Sequence, residues 1–264
     1  MNGLYFLVCL VTLLACTVGR ICGIGGGVII KPVLDGLGLF SIESINFYSA
    51  CTVAAMAGWS VIKSLRGRSR QIDLRISTPL AVGAALGGFA GKSMFSGLAA
   101  LFADPNTAGG VQAALLFALT FMTLIYTLKK DRIRGFHTSN LFACALIGFV
   151  LGALGAFLGI GGGPFNMAAL YLFFSMPTKQ AAENSLYVIL ISQIAALLKT
   201  AFSASIPVVM PFVLIGMILC GIAGSELGSH LNKRLSDRCA TKTFEAVMLL
   251  VMAVCCYNYF KYTA

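Results

Sequence analysis

The sequence predicts an all-α polytopic membrane protein: two inverted repeats of five hydrophobic segments each, with broken or re-entrant helices at two identical glycine runs. Three observations carry this reading. Of 264 residues, 58% are hydrophobic and only 11% charged, against roughly 25% charged in soluble domains. The basic residues gather in three loops. And Gly23-Ile24-Gly25-Gly26-Gly27 recurs as Gly159-Ile160-Gly161-Gly162-Gly163. So apolar a chain excludes a soluble enzyme, and its net charge of +10 suits loops at an anionic membrane face rather than nucleic acid.

Apolar segments run over 4–20, 24–40, 45–62, 76–99, 110–128, 140–158, 160–175, 184–202, 207–229 and 243–260. The first has no basic residue before Arg20, so it lacks the charged start of a signal peptide and is read as a retained segment. The segments 24–40 and 160–175 open with the glycine runs and are the shortest; each either crosses or forms half of a re-entrant hairpin. The rest approach the ~20 residues of a span. Seven cysteines (Cys9, Cys16, Cys51, Cys144, Cys220, Cys255 and Cys256) lie inside apolar runs and read as small hydrophobes. With only His137 and His230 for histidines, no metal site and no cofactor are expected.

Lys63, Arg66, Arg68, Arg70 and Arg75 occupy one loop, Lys129, Lys130, Arg132 and Arg134 a second, and Lys233, Arg234, Arg238 and Lys242 a third. The positive-inside rule puts all three in the cytoplasm. The loops 100–109 and 203–206 carry no basic residue and face outward, as do both termini. The glycine repeat is shifted by 136 residues, a shift that also places Leu34 on Leu170, Ser49 on Ser185 and Lys63 on Lys199. The chain thus divides into repeats 1–135 and 136–264, together one transmembrane domain. Basic loops of one half correspond to uncharged loops of the other, so the repeats are inverted. Inverted repeats mark secondary transporters with a site near the bilayer midplane.

Consecutive glycines break a helix, and a broken backbone is tolerated within the bilayer only where it is buried in protein or lines a cavity. Helix-capable stretches follow each run, with Pro164 at a first helical position. Such helix starts offer unpaired N–H groups and positive dipole ends to an anion. The candidate binding residues are therefore Gly23, Gly25, Gly26, Gly27, Gly159, Gly161, Gly162 and Gly163, close helix packing being their alternative role. Ser49, Ser185, Asn184 and Asn166 add hydroxyl and amide donors; interhelical hydrogen bonding is their alternative role. Tyr48, Lys92 and Cys22 are secondary candidates, Lys92 either aiding anion transit or snorkelling outward. The glycines at 83, 87, 88, 91, 216, 221, 224 and 228 read instead as close helix packing. Glu183, Glu226 and Glu245 are weighed as carriers of a coupling proton but fall near segment ends. No catalytic residue is assigned, for no nucleophile–base pair is present.

The two glycine runs, with Pro32 after the first and Leu158 and Pro164 flanking the second, together with Ser49 and Asn184-Ser185, resemble the TauE/SafE sulfite exporter family of small prokaryotic permeases. The resemblance covers essentially the whole chain. The first-half proline falls five residues after its glycines, and Tyr48 stands where a small polar residue is expected. The resemblance implies an inner-membrane permease, in the exporting sense, for sulfite, a sulfonate or a related organosulfur or carboxylate anion. The expected mechanism is alternating access, with a passive anion channel and a Cys22-dependent sulfur-relay protein as alternatives. The small anion and the lipid bilayer are the expected partners, homo-oligomerisation being left open.

Overall fold

The computed structural model describes residues 2–67, 71–101, 105–129, 136–138, 140–158, 162–202 and 207–263. Among these the secondary structure is entirely helical: α1 (Asn2–Cys22), α2 (Gly27–Leu37), α3 (Ile42–Arg66), α4 (Leu74–Leu101), α5 (Pro105–Lys129), α6 (Leu141–Phe157), α7 (Gly163–Phe174), α8 (Thr178–Phe202), α9 (Pro211–Arg234) and α10 (Asp237–Thr263). Five of the helices contain stretches long and apolar enough to cross a bilayer, at Tyr5–Cys22, Glu43–Arg66, Thr178–Phe202, Pro211–Arg234 and Asp237–Tyr257. Many large apolar side chains point outward, Phe142, Phe212 and Phe202 among them, as a surface bathed in hydrocarbon permits.

Local chemistry sets the helix ends. Ser41 starts α3, its Oγ accepting from Ser44 N at 3.3 Å, and Asn140 starts α6, its Oδ1 accepting from Phe142 N at 3.0 Å. Pro164 and Pro211 sit in the first turns of α7 and α9, where a missing N–H is harmless. Several helices run past their apolar segments: α8 begins at Thr178 rather than 184, α9 continues to Arg234 rather than 229, and α10 begins at Asp237 rather than 243. Hydropathy marks where the apolar surface ends, whereas hydrogen bonding carries the helix on into its charged flanks. The two segments that follow the glycines are shorter than the sequence suggests. At 11 and 12 residues, α2 and α7 extend about 16–18 Å each, roughly half a hydrocarbon core.

Packing is dominated by pairs that join the two halves of the chain. α1 lies along α9, α4 along α6 and α5 along α10, while α3 packs on both α8 and α9. Glycine makes two of these seams possible. A Cβ at Gly87 would stand 1.9 Å from the Phe149 carbonyl oxygen, and one at Gly83 2.0 Å from that of Ala145. On the other seam a Cβ at Gly224 would meet Leu13 O at 2.5 Å and one at Gly228 would meet Thr17 O at 2.6 Å. The close-packing reading of these glycines therefore holds for both seams: absent side chains let backbones approach to van der Waals and Cα–H···O contact. Gly88 differs, with open space on its side-chain face.

Candidate functional site

The segment between α1 and α2 leaves the helix because Gly23 and Gly25 take positive φ, +69° and +73°, a region costly to residues with a Cβ. The turn folds back on its own helix: a Cβ at Gly19 would lie 2.6 Å from the Gly25 carbonyl carbon. Gly23 is pressed against α8, where a Cβ would come within 2.3 Å of the Ala182 Cα. One serine bonds the start of the segment and a second lies against its end. Ser185 Oγ donates to the Gly23 carbonyl at 2.6 Å, and Ser49 Oγ stands 3.0 Å from where a Gly27 Cβ would be. Every residue from Ile21 to Val28 is buried.

The second run is described from Gly162 onward; Gly159 and Gly161 lie outside the described residues. Gly162 precedes α7 with φ +79°, and Gly163 begins the helix directly against the first run, a Cβ there falling 2.1 Å from Ile24 O. The head of α7 is thereby set against the turn that leads into α2. The tails of the two helices part: α2 leads toward Phe40, whose ring meets Tyr48 at 5.2 Å, whereas α7 leads toward Phe136, whose N–H donates to Leu172 O at 2.7 Å. A helix N-terminus carries partial positive charge and unpaired N–H groups, and that of α7 abuts the first glycine run. Asn166, in the first turn of α7, is buried with its carboxamide beside Gly162, 3.5 Å from where a Cβ would be.

The remaining candidates sit at varying distances from this junction. Asn184 is saturated by protein: Oδ1 accepts from Asp73 N at 2.8 Å and Ser77 Oγ at 2.6 Å, while Nδ2 donates to Gln71 O and Gln180 O at 2.9 and 2.7 Å. It ties the 71–73 segment to α8, beside a cleft of about 390 Å³ lined by Asp73, Arg75 and Gln180. The Tyr48 hydroxyl accepts from Met210 N at 2.7 Å, at the head of α9. Cys22 is fully buried as the last residue of α1. Lys92 falls within α4, and its side chain lies outside what the structure describes. A groove of about 480 Å³ between α1, α2 and α10 is aliphatic apart from Thr243, and so offers an anion little. Among the described residues no group of three or more His, Cys, Asp or Glu side chains could hold a metal ion.

One buried pair was not singled out by the candidates above. Arg20 Nη2 donates to Glu183 Oε1 at 2.5 Å, the two residues being 4% and 8% exposed. Glu183 lies in the second turn of α8, near the helix end as its place in the sequence suggests, yet it is buried. α8 begins early enough to carry it inside, and α1 delivers a cation to meet it. The available signal was a lone arginine closing an otherwise uncharged apolar segment, since an ionisable residue within a span is a functional candidate by default.

The chain matches the family described as Sulfite exporter TauE/SafE over residues 8–255. It is also 24% identical over 266 residues to a protein of Bacillus subtilis (strain 168) described as a probable membrane transporter protein, YunE, with 91% of each chain covered. No solved structure matches the chain.

Proposed function

The chain belongs to the sulfite exporter TauE/SafE family, and from that premise we propose that it is a secondary transporter for a small oxyanion such as sulfite, a sulfonate or a related carboxylate. It is a multi-pass membrane protein of a transporter family. The oxyanion is held where the two half-helices begin, by backbone N–H groups of both glycine runs with Ser49 and Ser185 beside them. The observation that carries this reading is the contact of Gly163 with Ile24, which sets the positive end of α7 against the first glycine run inside the protein, three residues before α2 begins.

The inverted repeat, 1–135 against 136–264, is supported by the packing. α1 lies on α9 as α6 lies on α4, and α2 meets α3 as α7 meets α8, each pair being the counterpart of the other under the 136-residue shift. Rocking of one half about the glycine junction then exposes the site alternately. The three basic loops support a placement in the inner membrane with both termini outside. A monoanion leaving the cell gains about 2.3 kcal/mol per 100 mV of inside-negative potential, so uncoupled movement runs outward.

Proteoliposomes loaded with unlabelled sulfite test this. Saturable uptake of labelled sulfite, accelerated by sulfite inside, is expected, with the Ser49→Ala variant needing roughly tenfold more sulfite for half-maximal rate, as loss of one hydrogen bond to a charged ligand implies. Flux that never saturates and shows no acceleration identifies a channel instead.

A further inference from the structure

We propose that the Arg20 guanidinium receives the transported oxyanion, with Glu183 as its resident counter-charge when the site is empty; this rests on the oxyanion-transporter reading above. A pair whose work is only to join helices has its polar atoms satisfied, because a buried unpaired donor or acceptor is destabilising. This pair is joined by one hydrogen bond, from Nη2 to Oε1. Arg20 Nε, Arg20 Nη1 and Glu183 Oε2 are buried with no partner among the described residues. The Nε–H and Nη1–H groups therefore remain open to a further acceptor, each on its own edge of the plane, and a guanidinium suits oxyanions because it donates charge-assisted bonds from a fixed planar array.

Location supports the same assignment. Arg20 stands three residues before Gly23 on α1. Glu183 is next to Ala182, against which Gly23 packs, and two residues before Ser185, which bonds the Gly23 carbonyl. The pair is thus fastened to the first glycine turn from both sides. The arginine stem is accommodated by α9, where a Gly228 Cβ would come within 2.8 Å of the Arg20 Cβ. A neutral pair lets the empty protein keep a guanidinium buried. The arriving anion then meets a full positive charge rather than helix dipoles alone, and works against the carboxylate for it.

That competition gives the test its sign. Sulfite and acetate are titrated calorimetrically into the purified full chain in detergent micelles. Glu183→Gln is expected to bind sulfite about tenfold tighter than wild type, since its competitor is neutralised. Arg20→Gln/Glu183→Gln, with no buried charge to strand, is expected to bind about tenfold or more weaker than Glu183→Gln, the loss of a charge-assisted contact. Arg20→Lys, which keeps the charge and loses the planar array, gives a second measurement and should bind several-fold weaker than wild type. A double variant as tight as Glu183→Gln, or a Glu183→Gln no tighter than wild type, overturns the assignment while leaving the oxyanion reading in place. No binding of either anion to wild type or any variant overturns the oxyanion reading itself.

Discussion

Among the described residues, two acid–base pairs tie the first half of the chain to the second. Arg20–Glu183 joins α1 to α8 and Lys63–Glu226 joins α3 to α9, both across 163 residues. Their surroundings differ. Glu226 is shared, its Oε1 taken by Lys63 and, at 3.0 Å, by His230 Nε2, and its Oε2 by Trp59 Nε1 at 2.9 Å. The side chains of Lys63 and Glu226 are 30% and 36% exposed, so much of their charge is solvated near a helix end. Arg20–Glu183 is buried, joined once and otherwise unsatisfied. A pair that is partly exposed and fully used anchors helices; one that is buried and half used holds binding capacity in reserve. The same residue chemistry is thus divided between structure and function by burial and by the count of unmet hydrogen bonds.

The sharpest way to break this contrast is Arg20→Ala. It strands a carboxylate inside the protein and is expected to lower stability by about 3–5 kcal/mol, read as a large fall in the temperature at which the detergent-solubilised protein aggregates. A fall no greater than that of an exposed charge would remove the distinction. Ser185→Ala is expected to lie between, at about 1–3 kcal/mol, because it leaves the buried Gly23 carbonyl unpaired; the same thermal measurement checks it, and no change would mean that water replaces the hydroxyl. Glu226→Gln should be the mildest, within about 1 kcal/mol, since the amide still accepts from Lys63 or Trp59 and solvent screens the rest. A drop comparable to that of Arg20→Ala would show that exposure does not separate the two pairs.

What could be read in advance follows the range of the physics involved. The helical membrane character and the family lie in composition and in short motifs, and residues such as Gly23 and Gly163 announce themselves by repetition. Asn184 shows where that reading stops. Its type and its place beside Ser185 suggest a ligand, yet all its polar atoms are engaged by Gln71, Asp73, Ser77 and Gln180, and no local pattern predicts that the 71–73 segment arrives there. Arg20 shows the reverse: it closes an apolar run with no motif around it, and only the approach of α8 makes it a paired, buried charge.

Hydropathy, charge placement and helix propensity accumulate residue by residue, so the sequence alone determined that the chain lives in lipid, that it is helical, and that its helices break at glycine. Which breaks meet, which serine reaches which carbonyl, and which arginine loses its water depend on backbones coming within contact distance across more than a hundred residues. Those approaches are settled by side-chain shape and by absent Cβ atoms acting jointly over whole helix faces. Only the tertiary structure decided them, because close packing is a property of pairs of surfaces and not of any single stretch of chain.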